Sequence, residues 1–170
     1  MAIEFERVAD APAIERVAQL AAVIWREHYT RIIGAEQVAY MLTRFQSPAA
    51  IAEQIAAGMR YELVLVDGID AGYSAAESRD DAYFLSKLYV SADHRGRGIG
   101  RRLWQRVLER ARSGGASRLA LTVNKHNAAA IAVYERLGMQ RTADIRIDIG
   151  KGFVMDDYRY ELAIGNRSAR

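Results

Sequence analysis

The glycine-rich segment around residue 98 constrains the fold of this chain more than any other feature. An apolar run at residues 83–90 is typical of a strand, and glycines then occupy positions 96, 98 and 100. Beyond the loop, apolar residues recur at helical spacing, at Ile99, Leu103, Val107 and Ala111. The pattern predicts a strand that leads through a tight loop into an amphipathic helix.

The other segments predict a mixed sheet. Strands are predicted at residues 3–8, 61–66, 69–78, 83–90, 118–123, 141–149 and 158–163, with Gly150, Gly152, Asp156 and Asp157 in the last loop. Helices are predicted at residues 10–25, 35–44, 47–57 and 127–137, and between residue 99 and the Gly114-Gly115 stop. A strand meander followed by a βαβ unit predicts an α/β fold with helices on both faces of the sheet. Residues 1–164 suit one domain, with a short tail at residues 165–170.

Composition narrows the classes of protein that remain. The 170 residues include no cysteine, which excludes disulfides, thiolate zinc sites and cysteine nucleophiles. No spacing of histidine and acidic residues suggests a metal site. The N-terminus alternates in polarity, and no stretch approaches the roughly 20 apolar residues of a membrane span. We therefore expect a cytoplasmic protein with no metal and no membrane partner.

The glycine loop, residues 95–101, has the character of an anion site. Glycine allows positive φ and close approach of a ligand, and a helix start presents unpaired N–H groups. Arginines crowd the same segment, at positions 95, 97, 101, 102 and 106, whereas the net charge of the chain is only +3. One anionic ligand fits this pattern better than a long polyanion. The loop has neither Walker A nor Rossmann spacing, and the simpler alternative is a turn with solvated arginines.

A second pattern lies downstream of the predicted fifth strand. Asn127 is a suitable helix cap, and Tyr134 follows seven residues later, two turns on and on nearly the same face. A tyrosine hydroxyl there is suited to protonating a leaving thiolate, because its pKa near 10 is close to that of a thiol. The structural alternative is that Asn127 only caps the helix and Tyr134 packs in the core.

Together these residues resemble the GNAT superfamily of N-acetyltransferases over residues 3–162. The superfamily fingerprint is a hydrophobic strand, then Arg/Gln-x-x-Gly-x-Gly/Ala, which is met here by Arg95, Gly98 and Gly100. Its second signature is Asn-x-x-Ala-x-x-x-Tyr-x-x-x-Gly-Phe, and the corresponding residues are Asn127, Ala130, Tyr134, Gly138 and Met139. Met139 replaces the usual Phe, and Ala92 stands where Pro is frequent.

The resemblance implies a fold, a co-substrate and a set of roles. Acetyl-CoA would lie in a V-shaped splay of a mostly antiparallel sheet of six to seven strands, between strand ends near Val90 and Val123. Tyr134 would be the general acid, and acetyl would pass directly to an amine in a ternary complex. The residues implied to bind the cofactor are Leu88, Tyr89, Val90, Arg95, Gly96, Arg97, Gly98, Ile99, Gly100, Arg101, Asn127 and Tyr134.

The general base departs from the pattern of the superfamily. Many relatives carry a glutamate in the strand before the loop, whereas residues 83–87 contain no carboxylate. Glu77 on the preceding strand, or a chain of waters, is the alternative base. An amine that arrives neutral needs no strong base.

The acceptor regions combine acids with aromatic residues. Trp25, Tyr29, Asp156 and Asp157 are expected to bind a cationic amine through ion pairing and cation–π contacts. Residues 25–41 and 152–158 are similar to polyamine acetyltransferase-like members, which favours a polyamine or another small cationic amine. Acetylation of a protein N-terminus or lysine is the alternative acceptor chemistry. A basic nucleic-acid module, disfavoured because the arginines follow no extended face, and a non-catalytic acyl-CoA sensor are alternatives of another class. A homodimer is left open.

Overall fold

A computed structural model describes residues 1–80 and 82–165. Its strands form one sheet in the order β1-β2-β3-β4-β5-β7-β6. The predicted mixed α/β architecture is confirmed, because β4 pairs parallel with β5 whereas β1–β2, β2–β3, β5–β7 and β6–β7 are antiparallel. Asp81, between the predicted strands 69–78 and 83–90, and residues 166–170 of the predicted tail lie outside the described residues. The elements are β1 (Ile3–Arg7), α1 (Ala11–Ile33), α2 (Ala35–Gln46), α3 (Pro48–Ala56), β2 (Arg60–Val66), β3 (Ile69–Arg79), β4 (Ala82–Val90), α4 (Ile99–Ser113), β5 (Arg118–Asn124), α5 (Ala128–Arg136), β6 (Gln140–Gly150) and β7 (Phe153–Ala163).

The first compact unit comprises residues 1–77 and 87–107. Successive strand residues point to opposite faces, so Tyr61 and Leu63 of β2 face the buried side of α1, with Tyr73 and Ala75 of β3. The other face, with Val64, packs against Ile99 and Leu103 at the start of α4. Helices therefore cover both faces of the same strands within this unit.

The second compact unit comprises, among the described residues, 78–80, 82–86 and 108–165. Its central strand is β7, which pairs with β5 on one side and with β6 on the other. The hydroxyl of the buried Tyr160 donates to Glu135 of α5 at 2.8 Å, which ties that helix to the sheet. None of the helices in the described part of the chain is both long and apolar enough to cross a membrane.

Two predicted boundaries were wrong. Helix α1 does not end near Trp25 but continues to Ile33, because Tyr29 and Ile33 extend the helical spacing and pack on the same core. Strand β7 begins at Phe153 and not near residue 158. The turn before it is only Lys151 and Gly152, both at positive φ (52° and 81°), which matches the two-residue turns of tight hairpins.

Candidate functional site

The glycine loop has the backbone that its sequence predicts. Gly96 and Gly98 have φ values of 76° and 77°, in the left-handed region where a side chain is strained. A Cβ atom built at either position would meet nothing within 4 Å. The glycines are therefore needed for the backbone conformation, and the space above them is open to a ligand.

The start of α4 presents main-chain donors beside this open space. The first helical bond there runs from the N–H of Arg102 to the carbonyl oxygen of Gly98, at 3.2 Å. The N–H groups of residues 99–101 precede it and have no helical partner, and the positive end of the helix dipole lies with them. Arg97, Arg101 and Arg102 are exposed around the same turn. This arrangement suits a phosphate or pyrophosphate group.

The end of β4 lies unusually close to β3. A Cβ atom at Gly72 would stand 2.4 Å from the carbonyl oxygen of Tyr89 and 3.2 Å from Cα of Val90. The N–H of Ser91 also donates to the carbonyl oxygen of Ala71 at 2.8 Å. Only glycine at position 72 permits this approach. The packing of β4 against β3 therefore determines the position at which β4 ends and the glycine loop begins.

Trp25 and Tyr29, which are predicted to bind the acceptor, contact Tyr89, which is predicted to bind the cofactor. The hydroxyls of Tyr29 and Tyr89 are 3.0 Å apart. The ring of Trp25 lies 5.6 Å from that of Tyr29 and 5.7 Å from that of Tyr89, centroid to centroid. Trp25 is only 4% exposed, whereas Tyr29 and Tyr89 are half-buried. The two tyrosines are therefore the accessible part of this aromatic cluster.

A buried hydrogen-bond network, which sequence reasoning missed, holds the cluster in place. Trp25 Nε1 donates to the hydroxyl of Tyr73 at 3.1 Å, and that hydroxyl donates to Gln46 Oε1 at 2.6 Å. Gln46 Nε2 donates to the hydroxyl of Tyr61 at 3.0 Å, which donates to Gln54 at 2.5 Å. Burial raises the pKa of Tyr61 and of Tyr73, so both remain protonated donors. The only signal in the sequence was the pair of tyrosines at inward positions of β2 and β3.

Glu77 lies half-buried near the end of β3, close enough to Tyr61 for its charge to raise the pKa of that tyrosine further. Glu77 belongs to the first compact unit, which also contains the aromatic cluster and the glycine loop. Its role as general base stays a prediction.

In the second unit, Asn127 caps α5 as predicted. Its Oδ1 accepts from the N–H of Ala130 at 3.4 Å, and the residue is 4% exposed. Tyr134 lies on the same helix and is half-buried. The cap is thus observed, and the catalytic role of Tyr134 stays a prediction.

Asp156 and Asp157 lie within β7 and not in the loop where the sequence pattern put them. Asp156 pairs with Lys125 at 3.0 Å, and the hydrogen bonds that Lys125 Nζ donates to Asp156 and to Asp144 raise the pKa of Lys125. Asp157 is 6% exposed, and burial raises its pKa to about 6 although Thr122 donates a hydrogen bond to it. The two neighbouring acids therefore differ: one is an ion-paired carboxylate and the other is a buried group with a raised pKa.

Comparison with known proteins agrees with the geometry. Residues 24–139 match the model of the acetyltransferase (GNAT) family. The L-amino acid N-acyltransferase MnaT of Escherichia coli is 26% identical over 156 residues, 85% of this chain and 83% of that protein. A methionine sulfoximine/methionine sulfone acetyltransferase of Pseudomonas aeruginosa is 40% identical over 53 residues, 31% of each chain. The fold matches the PaiA N-acetyltransferase of Thermoplasma acidophilum, solved with coenzyme A, at a TM-score of 0.82 and 16% identity, covering 96% of this chain and all of that one.

Proposed function

Because the chain belongs to the acetyltransferase (GNAT) family and is an N-acetyltransferase that uses acetyl-CoA, we propose that its acceptor is the primary amine of a small amino acid or a close analogue. One observation supports acetyl-CoA as the acetyl donor: the open glycine loop at the start of α4 suits a pyrophosphate. The acceptor half is supported by MnaT, whose similarity extends over 85% of this chain.

The residues of the chain fit the cofactor. The main-chain N–H groups of residues 96–101 would hold the pyrophosphate, with Arg97 and Arg101 adding charge. Main-chain groups of Leu88 and Val90 would bind the pantetheine arm, and Asn127 would contact it as well. Bound acetyl-CoA supplies a thioester whose acetyl group forms a C–N bond with the amine as the C–S bond breaks.

Two proton transfers remain for the protein. The amine loses a proton as the amide forms, and Glu77 or a water molecule beside it takes that proton. The departing thiolate gains a proton, which the hydroxyl of Tyr134 gives. The products are an N-acetylated amine and free coenzyme A, so a count of free thiols follows the reaction.

A polyamine is the second candidate for the acceptor. Asp156 and Tyr158 lie on the same face of β7, where an ammonium group could meet a carboxylate and an aromatic ring, whereas Asp157 lies on the other face and is buried. The ion pair of Asp156 with Lys125 weakens this candidate, because the negative charge of Asp156 is already neutralised by the lysine. Exposed ion pairs contribute about 1 kcal/mol or less, so several acids would have to act together.

The test is a panel of acceptors with acetyl-CoA and thiol detection. We expect turnover with small L-amino acids or with methionine sulfone, and a KM that changes little with salt. Turnover confined to spermidine or spermine, with a KM that rises steeply with salt, would favour the polyamine. Acetylation of peptide N-termini or lysines alone would favour a protein acceptor, and acetyl-CoA binding without turnover on any acceptor would indicate a sensor.

A further inference from the structure

Arg95, the first residue of the glycine loop, turns its side chain back toward the strand. Its Nε donates to the carbonyl oxygen of Val90 at 3.0 Å. Its main-chain N–H points back as well, toward the carbonyl oxygen of Ala92 at 3.4 Å. Among the described residues, Arg97, Arg101 and Arg102 of the same region make no side-chain hydrogen bond or ion pair. Arg95 therefore differs from these other arginines in that its side chain is hydrogen-bonded to the main chain.

With the hydrogen bond from Arg95, both polar groups of the peptide between Val90 and Ser91 are hydrogen-bonded. The peptide between Val90 and Ser91 has its carbonyl bound by Arg95 and its N–H bound by the carbonyl oxygen of Ala71 at 2.8 Å. A hydrogen-bond donor on the carbonyl polarises the peptide and strengthens the bond made by its N–H. The last peptide of β4 is thus held at both polar ends, once by β3 and once by the loop itself.

Two further contacts restrict the same strand–loop junction, which we define as residues 90–95. Ser91 Oγ and His94 Nδ1 are 2.8 Å apart, and the N–H of His94 donates to the carbonyl oxygen of Ser91 at 3.0 Å. Beneath it, Gly72 lets β3 approach the peptide between Tyr89 and Val90. In this described segment, the side chain of Arg95 is the one that bonds from the loop to the main chain at the strand end.

We propose that Arg95 is a positioning residue, which fixes the strand–loop junction so that the main chain of β4 and the N–H groups of the loop are pre-arranged for acetyl-CoA. The charge of its guanidinium is then secondary, and the donor at Nε is what matters. The proposal rests on the proposed function, since it concerns how the loop binds that cofactor. A ligand that finds its site already ordered need not supply the free energy of ordering it.

Side-chain chemistry allows the donor to be separated from the charge. In glutamine the Nε2 atom is bonded to Cδ, as Nε is in arginine, so Arg95→Gln keeps a donor at that position and loses the charge. Arg95→Lys keeps the charge but has a methylene group at the same position, and Arg95→Met has neither. Arg97→Gln and Arg97→Lys form the matched pair on an exposed arginine of the same loop.

The first measurement is calorimetric affinity for coenzyme A at several salt concentrations. We expect Arg95→Gln to stay within about threefold of wild type, and Arg95→Lys and Arg95→Met to bind about tenfold more weakly, the scale of one lost hydrogen bond. At position 97 the order should reverse: lysine should retain affinity, whereas glutamine should weaken it and flatten the salt dependence. If Arg95 follows the order of Arg97, it is a phosphate ligand and the proposal is wrong.

The second measurement is amide hydrogen exchange without ligand. Exchange at residues 91–96 should rise in Arg95→Lys and Arg95→Met but not in Arg95→Gln. Unchanged exchange in all three variants would overturn the proposal, as would raised exchange with unchanged affinity. If wild type binds no coenzyme A, the proposed function fails, and the positioning role toward that cofactor fails with it. The exchange pattern would still report whether Arg95 orders the junction.

Discussion

Glu62 on β2 is 1% exposed and accepts two hydrogen bonds from Arg106 on α4, from Nε at 2.5 Å and from Nη2 at 2.9 Å. Arg60 lies 3.7 Å from the same carboxylate, and the guanidinium of Arg106 stacks 4.3 Å above the ring of Phe5. This pair joins the helix that carries the glycine loop to the sheet below it.

Removing Arg106 should therefore destabilise the protein more than removing both partners. Arg106→Met takes both of these hydrogen bonds from a buried carboxylate, and we expect it to lower the free energy of unfolding by about 3 kcal/mol. The double variant Glu62→Met with Arg106→Met removes the buried charge and should recover much of that loss. Urea denaturation of the single and double variants measures the difference. If the double variant loses as much free energy of unfolding as the two single variants lose in sum, this account is wrong.

Gly98→Val should weaken binding of coenzyme A by about tenfold or more, about 1.4 kcal/mol, because a side chain fills the space over the loop. Gly115→Val is the matched control, since Gly115 also has φ of 77° and open space around its Cβ position. Both variants should lose similar stability from backbone strain. Calorimetry should find the affinity changed only by Gly98→Val, and equal affinities would remove the loop from the cofactor site.

Tyr134→Phe should lower kcat by roughly 10²–10⁴-fold with little effect on acetyl-CoA affinity, because the ring stays and the hydroxyl that supplies the proton is lost. Tyr160→Phe is the control, since it removes a hydroxyl that ties α5 to the sheet through Glu135 and leaves the phenol at position 134. Single-turnover kinetics should show a large effect only for Tyr134→Phe. If both variants lower kcat equally, the position of α5 matters and the hydroxyl of Tyr134 does not.

The buried carboxyl of Asp157 should make stability depend on pH. Its pKa is raised from 3.8 to about 6, so between about pH 4 and pH 6 the folded protein binds more protons than the unfolded chain. The free energy of unfolding should then fall as pH rises through that window, by up to about 3 kcal/mol. Asp157→Asn removes the titrating group and should flatten this dependence.

Asp148→Asn is the control for Asp157, because Asp148 is an exposed acid of the same hairpin whose Oδ1 accepts from the N–H of Gly150. Urea unfolding at several pH values should give the wild-type dependence for this control. A wild-type slope that persists in Asp157→Asn would show that another group carries the proton.

Local sequence was sufficient wherever the partners are close along the chain. The strand, the glycine loop and the start of α4 were predicted because positive φ and helical spacing are properties of a few consecutive residues. The Asn127 cap was predicted for the same reason, since its partner Ala130 is three residues away. The two wrong boundaries arose where a few residues fit more than one type of structure. The apolar residues 153–155, for example, were assigned to a loop, but they form the start of β7, directly after a two-residue turn.

The order of the elements, the backbone of the glycine loop and the capped helix could all be predicted from the sequence alone, because each follows from backbone preferences within one or two turns. Only the tertiary structure decided which distant polar groups meet. Trp25 and Tyr73 are 48 residues apart, Tyr29 and Tyr89 are 60 apart, and Glu62 and Arg106 are 44 apart. It also decided that Asp156 is paired while its neighbour Asp157 is buried with a raised pKa. Burial and pairing depend on which strands lie side by side, and that is settled by packing of the whole chain and not by any local pattern.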